Sequence, residues 1–143
     1  MRVSGLTFTN TVTGGRGAAI FVAGSVSSLD IANVTSINSD SGSPGAFLYV
    51  HADSTVALGD LASVGDIASS GILYVSRGSA ALAPRLSIVG PHVGKGIVYA
   101  SGALKIPINA STFFDCEADN SGSVIYAELS NDVAFDDTII SEV

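Results

Sequence analysis

The sequence predicts an all-β fold, a right-handed parallel β-helix (a solenoid) of about five to six coils with about 26 residues each. Three observations predict it. Blocks of similar sequence recur at a near-constant period, and every block ends in an aromatic residue. Turn-forming Gly, Ser, Asn and Asp are scattered along the whole chain, while no stretch shows the 3.6-residue periodicity of a helix.

Five blocks of 14 residues align without gaps and define the repeat. They run from Phe8 to Phe21, Ser36 to Tyr49, Leu61 to Tyr74, Leu86 to Tyr99 and Phe113 to Tyr126, so their starts lie 28, 25, 25 and 27 residues apart. A propeller blade needs about 40 residues or more, which excludes that fold. The second block begins with Ser36 where the others have Phe or Leu. A one-residue shift that makes Ile37 the core residue there is an open alternative.

The last position of every block forms one aromatic column, and all four Tyr of the chain fall in it. Its members are Phe21, Tyr49, Tyr74, Tyr99 and Tyr126. Residues one coil apart stack directly on one another in a parallel β-helix, because successive coils pair at about 4.8 Å. We therefore predict a stacked aromatic ladder, which is the candidate contact face of the molecule.

The direction of this ladder follows from the alternation of side chains along a strand. We place Ile20 and Val22, which flank Phe21, in the core, so that the aromatic column faces outward. The same alternation places Phe47, Ile72 and Ile97, with their equivalents Ala19 and Val124, beside the ladder on the outer surface. The reverse register, with the rings inside, remains open. An outward apolar ladder needs a partner to cover it.

A second set of apolar pairs, spaced two residues apart as in a strand, completes the coil. The pairs are Leu29 and Ile31, Val56 and Leu58, Leu104 and Ile106, and Val133 and Phe135. Each coil therefore holds three short strands. We expect one parallel β-helix domain over residues 1–143, uncapped at both ends and drawn from a longer solenoid. An antiparallel β-sandwich is the alternative fold.

The blocks resemble the repeats of polymorphic membrane proteins, a family of autotransporter adhesins, and of pectin-lyase-like β-helices. The repeats of the polymorphic membrane proteins carry F-x-x-N followed by G-G-A-I. Here Phe8 to Thr11 leads to Gly17-Ala18-Ala19-Ile20-Phe21, and Phe113 leads to Gly122-Ser123-Val124-Ile125-Tyr126. The Asn is replaced by Thr11, Ser39, Val64, Val89 and Cys116, and no block keeps an intact G-G-A-I. The resemblance implies a parallel β-helix with a role in adhesion at the cell surface.

Charge and composition exclude several partners and cofactors. The chain has 6 Lys and Arg against 13 Asp and Glu, a net charge of −7, and no basic run. Nucleic acid and anionic membranes both require clustered positive charge, so we expect neither as a partner. No apolar run is long enough for membrane insertion. The acidic residues lack calcium-loop spacing, and the lone Cys116 reads as a small buried hydrophobe, so we expect no metal and no cofactor.

We expect no catalytic residues, because the carboxylates fall in different columns of the repeat. Two Asn-x-Ser/Thr sequons, at Asn33 and Asn109, would be glycan attachment sites in a eukaryotic secretory protein. The favoured function is that of a non-enzymatic structural or adhesive segment, extracellular or on a cell surface, acting through lateral or end-to-end protein contacts that include self-association. The alternative is a carbohydrate-active enzyme, of the polysaccharide lyase or hydrolase type, or a carbohydrate-binding β-helix.

Overall fold

The computed structural model describes residues 1–24, 29–51, 53–76, 80–82, 85–103, 105–121, 124–129 and 133–141. These residues form strands and turns and no helix. The strands are β1 (Arg2–Thr9), β2 (Val12–Thr13), β3 (Ile20–Val22), β4 (Leu29–Ile37), β5 (Asp40–Ser41), β6 (Leu48–Val50), β7 (Thr55–Leu58), β8 (Asp60–Val64), β9 (Ile67–Ala68), β10 (Leu73–Ser76), β11 (Ala80–Leu82), β12 (Arg85–Val89), β13 (His92–Lys95), β14 (Val98–Ser101), β15 (Ile106–Asn109), β16 (Thr112–Phe114), β17 (Glu117–Ser121), β18 (Ile125–Glu128), β19 (Val133–Asp136) and β20 (Ile139–Ser141).

The strands stack into parallel sheets around one core, which confirms the predicted solenoid; the antiparallel alternative is wrong. Sheet A contains β11, β7, β4, β8, β12, β16 and β20 in that order, and β1 also pairs with β4. Sheet B has the order β17-β13-β9-β5-β2, and sheet C the order β18-β14-β10-β6-β3. A two-strand sheet D joins β15 to β19. The five stacked strands of sheets B and C enclose about four full turns of the winding.

The coil has one strand position more than the three that the sequence predicts. Sheet B is the addition, and its first three strands are only two residues long and carry no repeated apolar pair. In the fourth coil the predicted apolar pair is also displaced. Ile106 and Ile108 of β15 pair with Val133 and Phe135, two residues later than expected. Leu104 lies outside the described residues.

Sheets A and B meet at a corner where one residue per coil has a left-handed backbone. These residues are Asn10 (φ 52°), Asn38 (51°), Gly65 (63°), Gly90 (59°) and Asp115 (51°). Asn, Asp and Gly adopt this conformation at the lowest cost, which explains why they recur here. The corner is fixed by hydrogen bonds to the next coil, as when the Asn38 N–H donates to the Val64 carbonyl at 2.9 Å.

Pairing in sheet A corrects the gapless block alignment. Ser36 pairs with Ser63, and Phe113 pairs with Ile88, so the alignment of Leu61 and Leu86 with these positions is two residues out of register. Because side chains alternate with a period of two, this error still placed inward-facing residues opposite one another. The one-residue shift to Ile37 is wrong: Ser36 is fully buried, whereas Ile37 lies on the outer face of the sheet.

The placement of Phe47, Ile72 and Ile97 on the outer surface is also wrong. All three are buried in the main hydrophobic core, and Ala19 and Val124 pack against that core. The strands of sheet C begin one residue later, after a bend in the chain. Alternation applies only within a strand, so it does not extend backwards across this bend.

Candidate functional site

The aromatic ladder is formed as a single file along sheet C. Its residues Phe21, Tyr49, Tyr74, Tyr99 and Tyr126 are paired with one another in the strand register. The ring centroids of Tyr49 and Tyr74 are 4.7 Å apart with an interplanar angle of 3°, and those of Tyr74 and Tyr99 are 4.7 Å apart at 14°. The two outer pairs are more tilted, at 5.3 Å and 5.0 Å. Each aromatic contact of this kind contributes about 0.5–1.5 kcal/mol.

The ladder lies outside the hydrophobic core, yet it exposes less apolar surface than the sequence suggests. Tyr49 and Tyr99 are 3% and 8% exposed, whereas Phe21 at the first coil is 49% exposed. The stacked rings cover one another's faces, so only ring edges and hydroxyl groups remain for a partner. An inner ring therefore offers no open face on which a sugar or another ring can stack.

Charged side chains contact the rings of the ladder along its two borders. The guanidinium of Arg16 lies 5.3 Å from the centre of the Tyr49 ring, and the ammonium of Lys95 lies 5.1 Å from that of Tyr126. Such cation–π contacts are attractive. On the other border the Tyr99 hydroxyl donates to the Glu128 carboxylate at 3.1 Å. Burial, together with this hydrogen bond, raises the pKa of Tyr99 to about 12, so the Tyr99 hydroxyl stays neutral at physiological pH.

Part of the outer face of sheet A is an accessible surface without charge. Two rows of outward side chains run up β4, β8, β12 and β16, in register from coil to coil. The small-residue row consists of Thr35, Ala62, Ser87 and Thr112, and the apolar ridge beside it consists of Ile37, Val64, Val89 and Phe114. Val64 and Phe114 are 41% and 40% exposed. Outward strand positions are normally polar, so this ridge needs an explanation.

A groove of about 380 Å³ follows the small-residue row. Its far wall includes Asn33, Asp60, Arg85 and Ala110. Arg85 Nε and Asp60 Oδ1 form an ion pair at 2.6 Å, with both side chains more than half exposed. Each charge in this wall therefore has a partner of opposite sign. The groove is a shallow, nearly neutral channel with a small-residue floor, and the apolar ridge runs beside that floor, two residues further along each of the four strands.

Sequence reasoning missed the apolar ridge. Val64 and Val89 were equated with the Asn of the F-x-x-N motif, and Ile37 was considered a core residue. A strict period of two within each strand of sheet A was the signal that identifies the ridge. In β8, Leu61 and Ser63 are buried, whereas Ala62 between them is only partly buried and faces outward.

A buried polar cluster lies inside the corner between sheets A and B. It consists of Thr11, Ser36, Ser39, Ser63 and Asp66. The Asp66 carboxylate accepts the Ser39 N–H at 2.7 Å and the Ser63 hydroxyl at 2.7 Å. The Ser39 hydroxyl oxygen in turn accepts from Thr11 at 2.6 Å and from Ser36 at 2.9 Å. The hydrogen bonds hold a fully buried carboxyl group between two coils.

Burial raises the pKa of Asp66, and the hydrogen bonds from Ser63, Ser39 and Ser36 oppose this shift only in part. A raised pKa in the folded state means that the folded chain binds this proton more tightly than the unfolded chain. The contribution of Asp66 to the free energy of unfolding is therefore complete below the pKa of this carboxyl in the unfolded chain, about 3.9. It is lost as the pH rises through the higher folded pKa.

We accordingly expect Asp66→Asn to flatten the pH dependence of stability. In the unmodified chain the free energy of unfolding should fall between about pH 4 and neutrality, because the buried carboxyl must ionise. Urea denaturation at a series of pH values measures this slope. The control is Asp40→Asn, which removes the same charge from an exposed neighbouring position. Equal slopes for the two variants would contradict the assignment to Asp66.

Both sequons lie at or just before residues that line the groove on sheet A. Asn33 is exposed, with a left-handed backbone (φ 52°), and lines the groove. Asn109 is half-buried at the end of β15. The hydroxyl of its sequon Ser111 is buried, accepts the Leu86 N–H at 2.9 Å and donates to the Asn109 carbonyl at 3.0 Å. Of the two, Asn33 therefore offers the more accessible amide.

The other titratable groups do not form a metal site in the described part of the chain. His92 contacts Glu117 at 3.1 Å and Asp119 at 3.3 Å on the outer face of sheet B. The hydrogen bond to Glu117 raises the pKa of His92. No group of three His, Cys, Asp or Glu among the described residues is arranged to hold a metal ion. Asp132, another acidic residue near the C-terminal end of the chain, lies outside the described residues.

Cys116 is buried, as the sequence predicts. Burial, and then the neighbouring Asp115, raises the pKa of the Cys116 thiol to about 11. It is therefore protonated and unreactive at neutral pH, since the thiolate is the nucleophile.

Comparison of the chain with protein-family models, with curated protein sequences and with solved structures gives no match. The resemblance to the adhesin repeats thus stays a prediction from the residues. Within the described residues, no helix has the length and apolar character needed to span a bilayer.

Proposed function

We propose that this chain is a non-enzymatic structural or adhesive segment that acts through protein contacts along the side of its rod, at a cell surface or in an extracellular assembly. The observation that carries the proposal is the pair of adjacent uncharged rows on the outer face of sheet A. The small-residue row and the apolar ridge hold eight outward residues without a charge, in a chain of net charge −7. Apolar surface placed in register over several coils is typical of a contact face.

The geometry of the face supports a binding role over a chemical one. Glycoside hydrolysis requires two carboxyl groups about 5–9.5 Å apart across the substrate. Of the residues that line the groove, Asp60 alone carries a carboxyl group, and it is paired with Arg85. The carboxyl of Asp66 is fully buried inside the corner between sheets A and B, where a substrate cannot reach it. The resemblance to adhesin repeats agrees with a contact function.

Carbohydrate binding is the second candidate, and the groove is the observation that favours it. Thr35, Ser87 and Thr112 place hydroxyl groups along its floor, and Asn33 and Arg85 supply donors at its wall. These groups suit an extended neutral saccharide. The inner rings of the aromatic ladder do not suit one, because their faces are occupied.

The proposed contact function is tested by self-association. We expect the average mass in sedimentation equilibrium to rise between about 10 µM and 1 mM protein, the range of weak contacts. The rise should persist at 1 M salt, at which charge contacts are screened over about 3 Å. A mass that stays at the monomer value over the whole range would overturn the proposal. Release of the association by neutral oligosaccharides at millimolar concentration would favour the carbohydrate candidate instead.

A further inference from the structure

We infer that the outer face of sheet A binds the same face of a second copy of this chain, with the two rods side by side and parallel. In this arrangement the apolar ridge of each copy lies in the groove of the other. The inference rests on the proposed function and adds to it the occupant, the face and the relative orientation.

The shapes of the two rows carry the inference. Along β4, β8, β12 and β16 a small outward residue is followed two positions later by a larger apolar one, as in Ala62 and Val64 of β8 or Thr112 and Phe114 of β16. The rows therefore form a groove and a ridge of equal length, side by side, on one face. A surface with both features fits a copy of itself, which is the condition for an isologous interface.

Symmetry selects the parallel orientation. A two-fold axis that runs along the rods, midway between the rows, exchanges ridge and groove at every level. Val64 of one copy then faces the partner's Ala62, and Phe114 faces the partner's Thr112. An axis perpendicular to the rods would instead set ridge against ridge and leave both grooves empty. Close packing of side chains favours the first arrangement.

Charges at the borders of the face agree with this orientation. The border with Arg85 comes to lie against the partner's corner between sheets A and B. Arg85 then faces the partner's Gly90, with the partner's Asp115 one coil, about 4.8 Å, further along. Both of these side chains are exposed, and the small Ala110 lies one coil beyond Arg85. Asp60 faces the partner's Gly65, so no acidic pair is forced together among the described residues of these borders.

The area of the face sets the strength of the contact. Four coils of about 4.8 Å and strands of five residues at about 3.3 Å give roughly 300 Å² for each copy. A standard stable interface buries about 800 Å² on each side. We therefore expect weak association of one pair, which strengthens when many copies or many coils are held side by side.

Cysteine cross-linking tests the arrangement at the predicted level of the rod. Ala62→Cys and Val64→Cys chains are mixed, oxidised with diamide and compared with each variant alone. We expect the mixed disulfide dimer to form at least fivefold more than either self-dimer. Ala57→Cys, at an exposed position on β7, is the matched control and should give only background. The unmodified chain should also give background, because the Cys116 thiol is buried and protonated.

The outcomes separate this inference from the proposed function. Predominant Val64→Cys self-dimers would overturn the parallel orientation. Cross-linking no greater than that of Ala57→Cys, in a chain whose mass still rises with concentration, would overturn the choice of face while the contact function stands. A second variant, Val64→Glu, should lower the association constant at least tenfold while the circular dichroism spectrum and unfolding midpoint stay close to those of the unmodified chain. Unchanged association of folded Val64→Glu would also overturn the inference.

Discussion

Replacing Phe113 by Ala is expected to lower the free energy of unfolding by about 3–5 kcal/mol. Phe113 points into the core from β16, is fully buried and pairs with Ile88 and Ile140 of the adjacent coils. The substitution removes a ring from the inside of the rod, where the surrounding coils are tied by hydrogen bonds and cannot close the cavity. The loss is a large part of the stability of a typical domain, about 5–15 kcal/mol.

The neighbouring Phe114 is a matched control for this prediction. It has the same side chain on the same strand but points outward and is 40% exposed. We expect Phe114→Ala to cost less than about 1 kcal/mol. Urea denaturation of both variants at one pH measures the difference. Equal losses, or a larger loss for Phe114, would contradict the inward and outward assignment on which the apolar ridge depends.

The second large effect is expected for Gly96→Ala, which should cost about 2–4 kcal/mol. Gly96 precedes sheet C with a left-handed backbone (φ 39°). A Cβ atom here would lie 2.5 Å from the Tyr126 backbone nitrogen and 2.7 Å from the Tyr126 Cβ. Because the nitrogen belongs to the backbone, the next coil itself must move. The last step of the aromatic ladder would move with it.

Gly14→Ala is the control for this substitution. Its added Cβ would meet no atom within 4 Å, and its φ is not in the left-handed region. We expect it to change stability by no more than about 1 kcal/mol, in either direction. Thermal unfolding gives the comparison, and near-ultraviolet circular dichroism reports on the stacked Tyr rings. A Gly96→Ala chain as stable as Gly14→Ala, with an unchanged Tyr signal, would contradict the close approach of the two coils.

The winding and the aromatic ladder were predictable because they depend on position along the repeat. Parallel coils place like residues over one another, so a column such as Tyr49, Tyr74 and Tyr99 identifies the stacking without knowledge of the exact turns. The number of residues per coil follows from the same column. These features require only that the period is counted correctly.

The register of sheet A was not predictable from the apolar pattern alone. Leu61 and Ser63 both point inward, so a shift of two residues exchanges one inward position for another. The core of this chain also contains Ser36 and Ser63, which resemble turn residues when they are read from the sequence. The apolar ridge was missed for this reason, since Val64 was assigned to a motif position instead of to the outside of a strand.

The buried polar cluster was equally hidden in the sequence. Asp66 follows Gly65 and looks like a solvated turn residue, and only the stacking of coils shows that the Ser39 N–H reaches its carboxylate. The hydrogen bonds from Thr11 to Ser39 and from Ser39 to Asp66 join residues of different coils. No local pattern reports such a contact.

The hydrogen bonds between coils also determine how the chain can fold. They join residues about one coil apart in sequence, as Ser39 and Asp66 are 27 residues apart and Leu86 and Ser111 are 25 apart. The first pair of coils must therefore close a long loop before any sheet exists, at a large entropic cost. Once two coils are formed, each further coil pairs with the exposed edges of sheets that already exist. Folding should thus be slow to nucleate and should then propagate from the nucleus toward both termini, one coil at a time.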